Sequence, residues 1–203
     1  MSTQTKAFLS VDFHIRRLIS DAHKAQYTDI NGHTRKPLVF FSRLQWLFVI
    51  VAIGFGIYPK IWPSIDLTGY VLTSLSIFVA LFPALILSAY DTFKRLDFSE
   101  KPRSDVEQVQ LIQKKNFIKQ YSALVSYAIL IAILCILLAG GSLVISLFDR
   151  YQTFERSALW FVFVAYRSTY CYFILDFLYL VIYALGAFYS FMKSEYDVPR
   201  IKQ

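Results

Sequence analysis

The last long apolar stretch of the chain, Ser157 to Met192, carries its polar residues at a regular spacing. Thr169, Tyr172, Asp176, Tyr179, Tyr183, Gly186 and Ser190 recur at alternating intervals of three and four, which gathers them on one narrow stripe of a helix among Phe, Leu, Val, Ile and Ala. Three further apolar stretches precede it, Leu38 to Tyr58, Tyr70 to Tyr90 and Tyr121 to Phe148. Each has at least the roughly 20 residues that a helix needs to cross a bilayer. The pattern predicts an all-α integral membrane protein with four transmembrane helices in two hairpins.

The intervening segments read differently. In residues 1–37 no apolar run is long enough for a signal peptide, so an uncleaved cytosolic N-terminus is expected. Phe8, Val11, Ile15, Leu18, Ile19 and Ala22 mark one face of an amphipathic helix, suited either to lying in the headgroup layer or to packing on a cytosolic helix. Asp29 to Gly32 is turn chemistry, and Pro37 opens the next element. Residues 91–120 form a basic cytosolic loop, in which Ser104 and Glu107 after Pro102 make a capping pattern. A helix is therefore expected from about Asp105 straight into the third span, its edge of Val106, Val109, Ile112 and Phe117 meeting the N-terminal helix. The resulting organisation is 1–37 amphipathic helix, 38–90 first hairpin, 91–120 basic loop and helix, 121–192 second hairpin and 193–203 tail.

Details within the spans add expectations. The short loop after the first span carries Tyr58 and Trp62 as interfacial anchors, and Pro83 is placed to kink the second span. Ser76, Ala80, Ala84 and Ser88 form a small-residue ladder that lets another helix approach, as do Gly140 and Gly141. A turn centred near Tyr151 and Gln152 puts Gly140 and Gly141 opposite Val164 and Ala165, and Cys135 at the depth of Cys171. The stretch 157–171 is either an extension of the fourth helix beyond the bilayer, which makes Arg167 interfacial, or a re-entrant break.

Composition agrees with the membrane reading: 203 residues are 56% hydrophobic and 18% aromatic, with a mean hydropathy of +0.46. Basic residues set the orientation. Seventeen of the 21 Lys and Arg fall in the N-terminal region, the 91–120 loop and the tail when Arg43 at the inner end of the first span is included, against Lys60, Arg150 and Arg156 in the two other loops. The positive-inside rule then places both termini in the cytosol, in an inner (plasma) membrane. Arg16, Arg17, Lys24, Lys94, Arg95, Lys114, Lys115 and Lys119 are the candidates for contact with lipid headgroups, a nucleotide, a nucleic acid or another anionic partner.

Candidate chemistry is sparse. Two cysteines make no disulfide framework, the three histidines lack metal-site spacing, and no cofactor or metal is implied. Arg17 and His23 fit a loose spacing found in HEPN ribonucleases, but a two-residue match in a basic helix carries little weight. No phosphate loop, nucleophile elbow or paired carboxylate occurs, so an enzyme is not expected. Asp176 is the conspicuous group: a carboxylate at mid-bilayer costs roughly 2.5–3.5 kcal/mol on insertion scales, so it should face protein or water, either charged or as a neutral acid bonded to a Tyr or Ser of the next helix. Set against a carboxylate is a purely structural stripe whose hydroxyls bond neighbouring helices.

The plan of four spans, short outer loops and basic cytosolic helices resembles the small membrane effectors of bacterial anti-phage systems, of retron, cyclic-nucleotide and CRISPR accessory type. That resemblance implies an oligomeric inner-membrane protein that perturbs membrane permeability when a cytosolic protein, nucleotide or nucleic acid signals infection. The alternatives are a small transporter or channel subunit with Asp176 as a cation or proton site, and a membrane scaffold.

Overall fold

A computed structural model of the chain describes residues 3–28, 33, 43–58, 65–95, 105–149 and 158–197. The turn at 29–32, residues 38–42 of the first expected span, the loop at 59–64, residues 96–104 of the basic loop, the turn at 150–157 and the end of the tail lie outside the described residues. Among the described residues the elements are five helices: α1 (Thr3–Tyr27), α2 (Arg43–Ile57), α3 (Ile65–Arg95), α4 (Asp105–Asp149) and α5 (Ala158–Asp197).

Three of these helices contain stretches long and apolar enough to cross a membrane, Thr68–Ser88, Leu111–Leu143 and Trp160–Phe191. The apolar part of α2, Leu44–Ile57, is shorter. At 1.5 Å per residue the 15 residues of α2 reach about 22 Å, less than a hydrocarbon core of about 30 Å. α4 begins at Asp105 and continues unbroken into the apolar stretch, as the sequence predicts. α5 is also continuous, so the re-entrant alternative for 157–171 does not hold over Ala158 to Cys171. α3 passes through Pro83, whose ring is exposed and whose missing donor leaves the helix otherwise intact.

The helices divide between two compact units. Unit 1 consists of 1–36, 83–127 and 181–203, and unit 2 of 37–82 and 128–180.

In unit 2, small side chains on α4 let its neighbours come close: Ala128, Ala132, Cys135, Ala139 and Ser142 are all buried at helical spacing. Tyr166 on α5 donates its hydroxyl to the Leu138 carbonyl, and the same hydroxyl stands 2.7 Å from where a Cβ on Gly141 would be. The antiparallel α4/α5 register expected from a turn near residue 152 is therefore observed, with Gly141 opposite Tyr166 and not Val164. Val164 instead lies against Gly56 of α2, where a Cβ would come within 2.8 Å of the Val164 carbonyl oxygen and overlap Ser168 Oγ. On α3, Leu75 and Phe82 are buried, and Phe78 and Phe82 pack around Phe177 of α5 with ring centroids 5.6 and 6.4 Å away.

Unit 1 is built on an aromatic stack. Phe117 of α4 lies face to face with Phe191 of α5, 4.1 Å apart and 3° from parallel, and Tyr121 continues the stack toward Phe188. Increasing number on α4 pairs with decreasing number on α5, so the two run antiparallel here too. α1 is held by buried Ala22 and Ala25 and by the Tyr183 hydroxyl, which donates to the Gln26 carbonyl at 2.9 Å.

Two packing expectations are corrected. Val109 and Ile112 are 54% and 56% exposed, so the early edge of α4 is not the seat of α1. α1 meets α4 further along, beside Asn116 to Ser126, because Ala22 and Ala25 are small enough for close approach whereas Ile15 and Ile19 stay exposed. The ladder of Ser76, Ala80, Ala84 and Ser88 is exposed at all four positions, so it is not buried against another helix among the described residues.

Candidate functional site

Asp176 is 3% exposed, and its carboxylate oxygen accepts a hydrogen bond from the side-chain amide of Gln45, itself 6% exposed, at 3.4 Å. The pair joins α2 to α5 inside unit 2. Its partner is thus an amide and not the Tyr or Ser that the sequence suggested. Gln45 was missed, although the signal was there: it stands one residue inside the apolar run Leu44–Ile57, where an uncharged amide is as foreign to hydrocarbon as a carboxyl. Phe48, one turn further along α2, packs edge-on against Tyr179 at 6.1 Å, one turn beyond Asp176. Cys135 of α4, in the same unit, is fully buried.

The remaining stripe does not turn inward as a block. In unit 2 the buried face of α5 is Tyr170, Phe177 and Leu180, about one residue on from the stripe, so Asp176 lies at its border. Tyr172 and Tyr179 are half-buried beside it, while Thr169 is exposed and satisfies its hydroxyl on the Ala165 carbonyl of its own helix at 2.8 Å. In unit 1 Tyr183 is half-buried on Gln26, and Gly186 and Ser190 are exposed. Spacing alone does not decide this, because a hydroxyl can bond its own helix wherever it points.

All eight candidate basic positions belong to unit 1. Arg16 and Arg17 are exposed on α1, Arg17 with its guanidinium 3.9 Å from Asp21. Lys114 is half-buried and Lys115 exposed on α4. Lys94 and Arg95 end α3, with side chains outside the described residues. Lys24 and Lys119 come from different helices to line one cleft of about 460 Å³, together with Asp21, Asn116, Gln120 and Ser122. A second cleft of about 710 Å³ shares Ala25, Thr28 and Gln120 with it and is walled by Phe117, Tyr121 and Tyr183.

His23 packs edge-on against Tyr27 at 5.1 Å, with Arg17 turned to Asp21, so the two are engaged with different neighbours. Among the described residues no group of three or more His, Cys, Asp or Glu could hold a metal ion. Both cysteines are free thiols.

Comparison with family models, with curated proteins and with solved structures finds no match to this chain.

Proposed function

We propose that this protein is an inner-membrane effector that changes the ion permeability of its bilayer on a cytosolic signal, with Asp176 and Gln45 as the polar element on which that change depends. The single observation behind this is the energetics of the pair. Placing an Asp in a membrane helix costs about 2.5–3.5 kcal/mol. A hydrogen bond as long as 3.4 Å returns less than the ordinary 1.5 kcal/mol or so. The carboxyl is a net burden on stability, and a packing role alone is filled more cheaply by Ser, Thr or Gly.

The topology that goes with this reading has four spans and both termini in the cytosol. The basic residues of unit 1 then face the cytosolic side, where the signal acts. Assembly into a homo-oligomer is supported by the exposed small residues of α3, Ser76 and Ala80 in unit 2 and Ala84 and Ser88 in unit 1, which suit a neighbouring protomer.

Inducible expression with a membrane-potential dye tests the proposal. The wild-type chain should depolarise cells and arrest growth, and Asp176→Asn and Asp176→Leu should abolish both effects with expression and assembly intact. Full activity of the Leu variant sinks the assignment. A second reading, a transporter subunit with Asp176 as a proton or cation site, is favoured by the burial of Asp176 within one chain. Substrate-dependent flux in liposomes without toxicity in cells would select it.

A further inference from the structure

We infer that the cleft between α1 and α4 in unit 1 binds a phosphate group, with Lys24 and Lys119 as its cations. The inference deepens the proposed function by giving the signal a chemical class. The two lysines are 95 positions apart in sequence and line one cleft because α1 packs on α4, where Ala22 and Ala25 are buried. Among the described residues Asp21 is the one carboxylate lining the cleft, and Arg17 stands 3.9 Å from it, so the local balance stays positive. Asn116 and Gln120 add amide groups to the wall, while the Ser122 hydroxyl donates to the Lys119 carbonyl at 3.1 Å. Two ammonium groups, few opposing charges and neutral donors in a concavity of about 460 Å³ are the chemistry of phosphate recognition.

Position narrows the ligand further. Lys119 is the last charged residue before the long uncharged part of α4, from Gln120 to Leu143, which puts the cleft at the level of a bilayer surface. The adjoining cleft, which shares Ala25, Thr28 and Gln120, offers Tyr121, Leu124 and Ile182 to an apolar portion attached to the phosphate. The phosphate of a lipid headgroup and that of a soluble ligand present the same anion, and experiment separates them.

The test uses the full-length chain in phosphatidylcholine nanodiscs, with its thermal unfolding followed as dioctanoyl phosphatidylglycerol or, separately, inorganic pyrophosphate is titrated in. At least one probe should raise the unfolding midpoint. In the Lys24→Gln/Lys119→Gln double variant the apparent affinity should fall about thirtyfold, the effect of two lysines at an anionic surface. The Lys24→Arg/Lys119→Arg variant should keep most of it, and Lys193→Gln should bind as wild type does. A response to phosphatidylglycerol alone assigns the cleft to a headgroup, and a response to pyrophosphate assigns it to a soluble phosphate. Should neither probe shift the wild type, or should the double Gln variant bind as tightly as wild type, the inference is overturned. No ion flux enters the measurement, so this outcome is independent of whether the protein alters permeability.

Discussion

Replacing Gly56 by Ala tests the α2/α5 crossing at its tightest point. The added Cβ would overlap Ser168 Oγ and stand 2.8 Å from the Val164 carbonyl oxygen and 3.2 Å from the Ser168 nitrogen. A side-chain oxygen can rotate away, but the two backbone atoms belong to α5 and move only with the helix. Separating two packed helices for one methyl costs about 1–3 kcal/mol. Against this stands the intrinsic preference of helices for Ala over Gly, about 0.8–1.0 kcal/mol. Gly54, in the same helix, has nothing within 4 Å of its added Cβ, so Gly54→Ala collects the preference without the overlap. The difference between the two Ala variants is therefore the overlap itself, about 1–3 kcal/mol with propensity cancelled. Unfolding of the full chain in mixed micelles, by raising the SDS fraction, measures it. Gly56→Ala should unfold earlier than Gly54→Ala, and adding Ser168→Ala should recover only part of the loss, since the Val164 carbonyl contact remains. Equal midpoints for the two Ala variants would refute the close crossing.

Other consequences are open to direct measurement. Tyr183→Phe removes the hydroxyl that holds Gln26, and a loss of about 1 kcal/mol should show as faster proteolysis of α1 with the rest of the chain unaffected. Gln45→Leu leaves the buried Asp176 without its amide, so it should destabilise by about 1–3 kcal/mol, whereas the Gln45→Leu/Asp176→Leu double variant should recover that loss or exceed wild-type stability; additive losses would dissolve the pair. A membrane-permeant maleimide should modify Cys171 well before fully buried Cys135, and equal rates in the folded protein would contradict the α4 packing. Reporter fusions after Gln120 and Gln203 should report cytosol and one at Asp66 the outer side, and a C-terminus outside the cytosol would overturn the orientation.

Much of the architecture is written along the chain. Run length and hydropathy alone identify the helices and the apolar stretches, because a backbone in hydrocarbon has to bond within itself whatever surrounds it. The start of α4 at Asp105 and the antiparallel register of α4 against α5 also follow from local signals, a capping pattern and the position of a turn. Which face of each helix is buried does not. A stripe of hydroxyls looks like an interior from spacing alone, yet Thr169 bonds its own helix and stays exposed, while Tyr170 and Phe177, one position round, take the core. The meeting of Gln45 with Asp176, and the sharing of one cleft by Lys24 and Lys119, depend on how deeply small residues let helices approach: Gly56 against Val164, Ala22 and Ala25 against α4. Periodicity carries a residue's angle around its own axis. Only the packed structure decides what stands opposite, because that contact is set by the volumes of both partners at once.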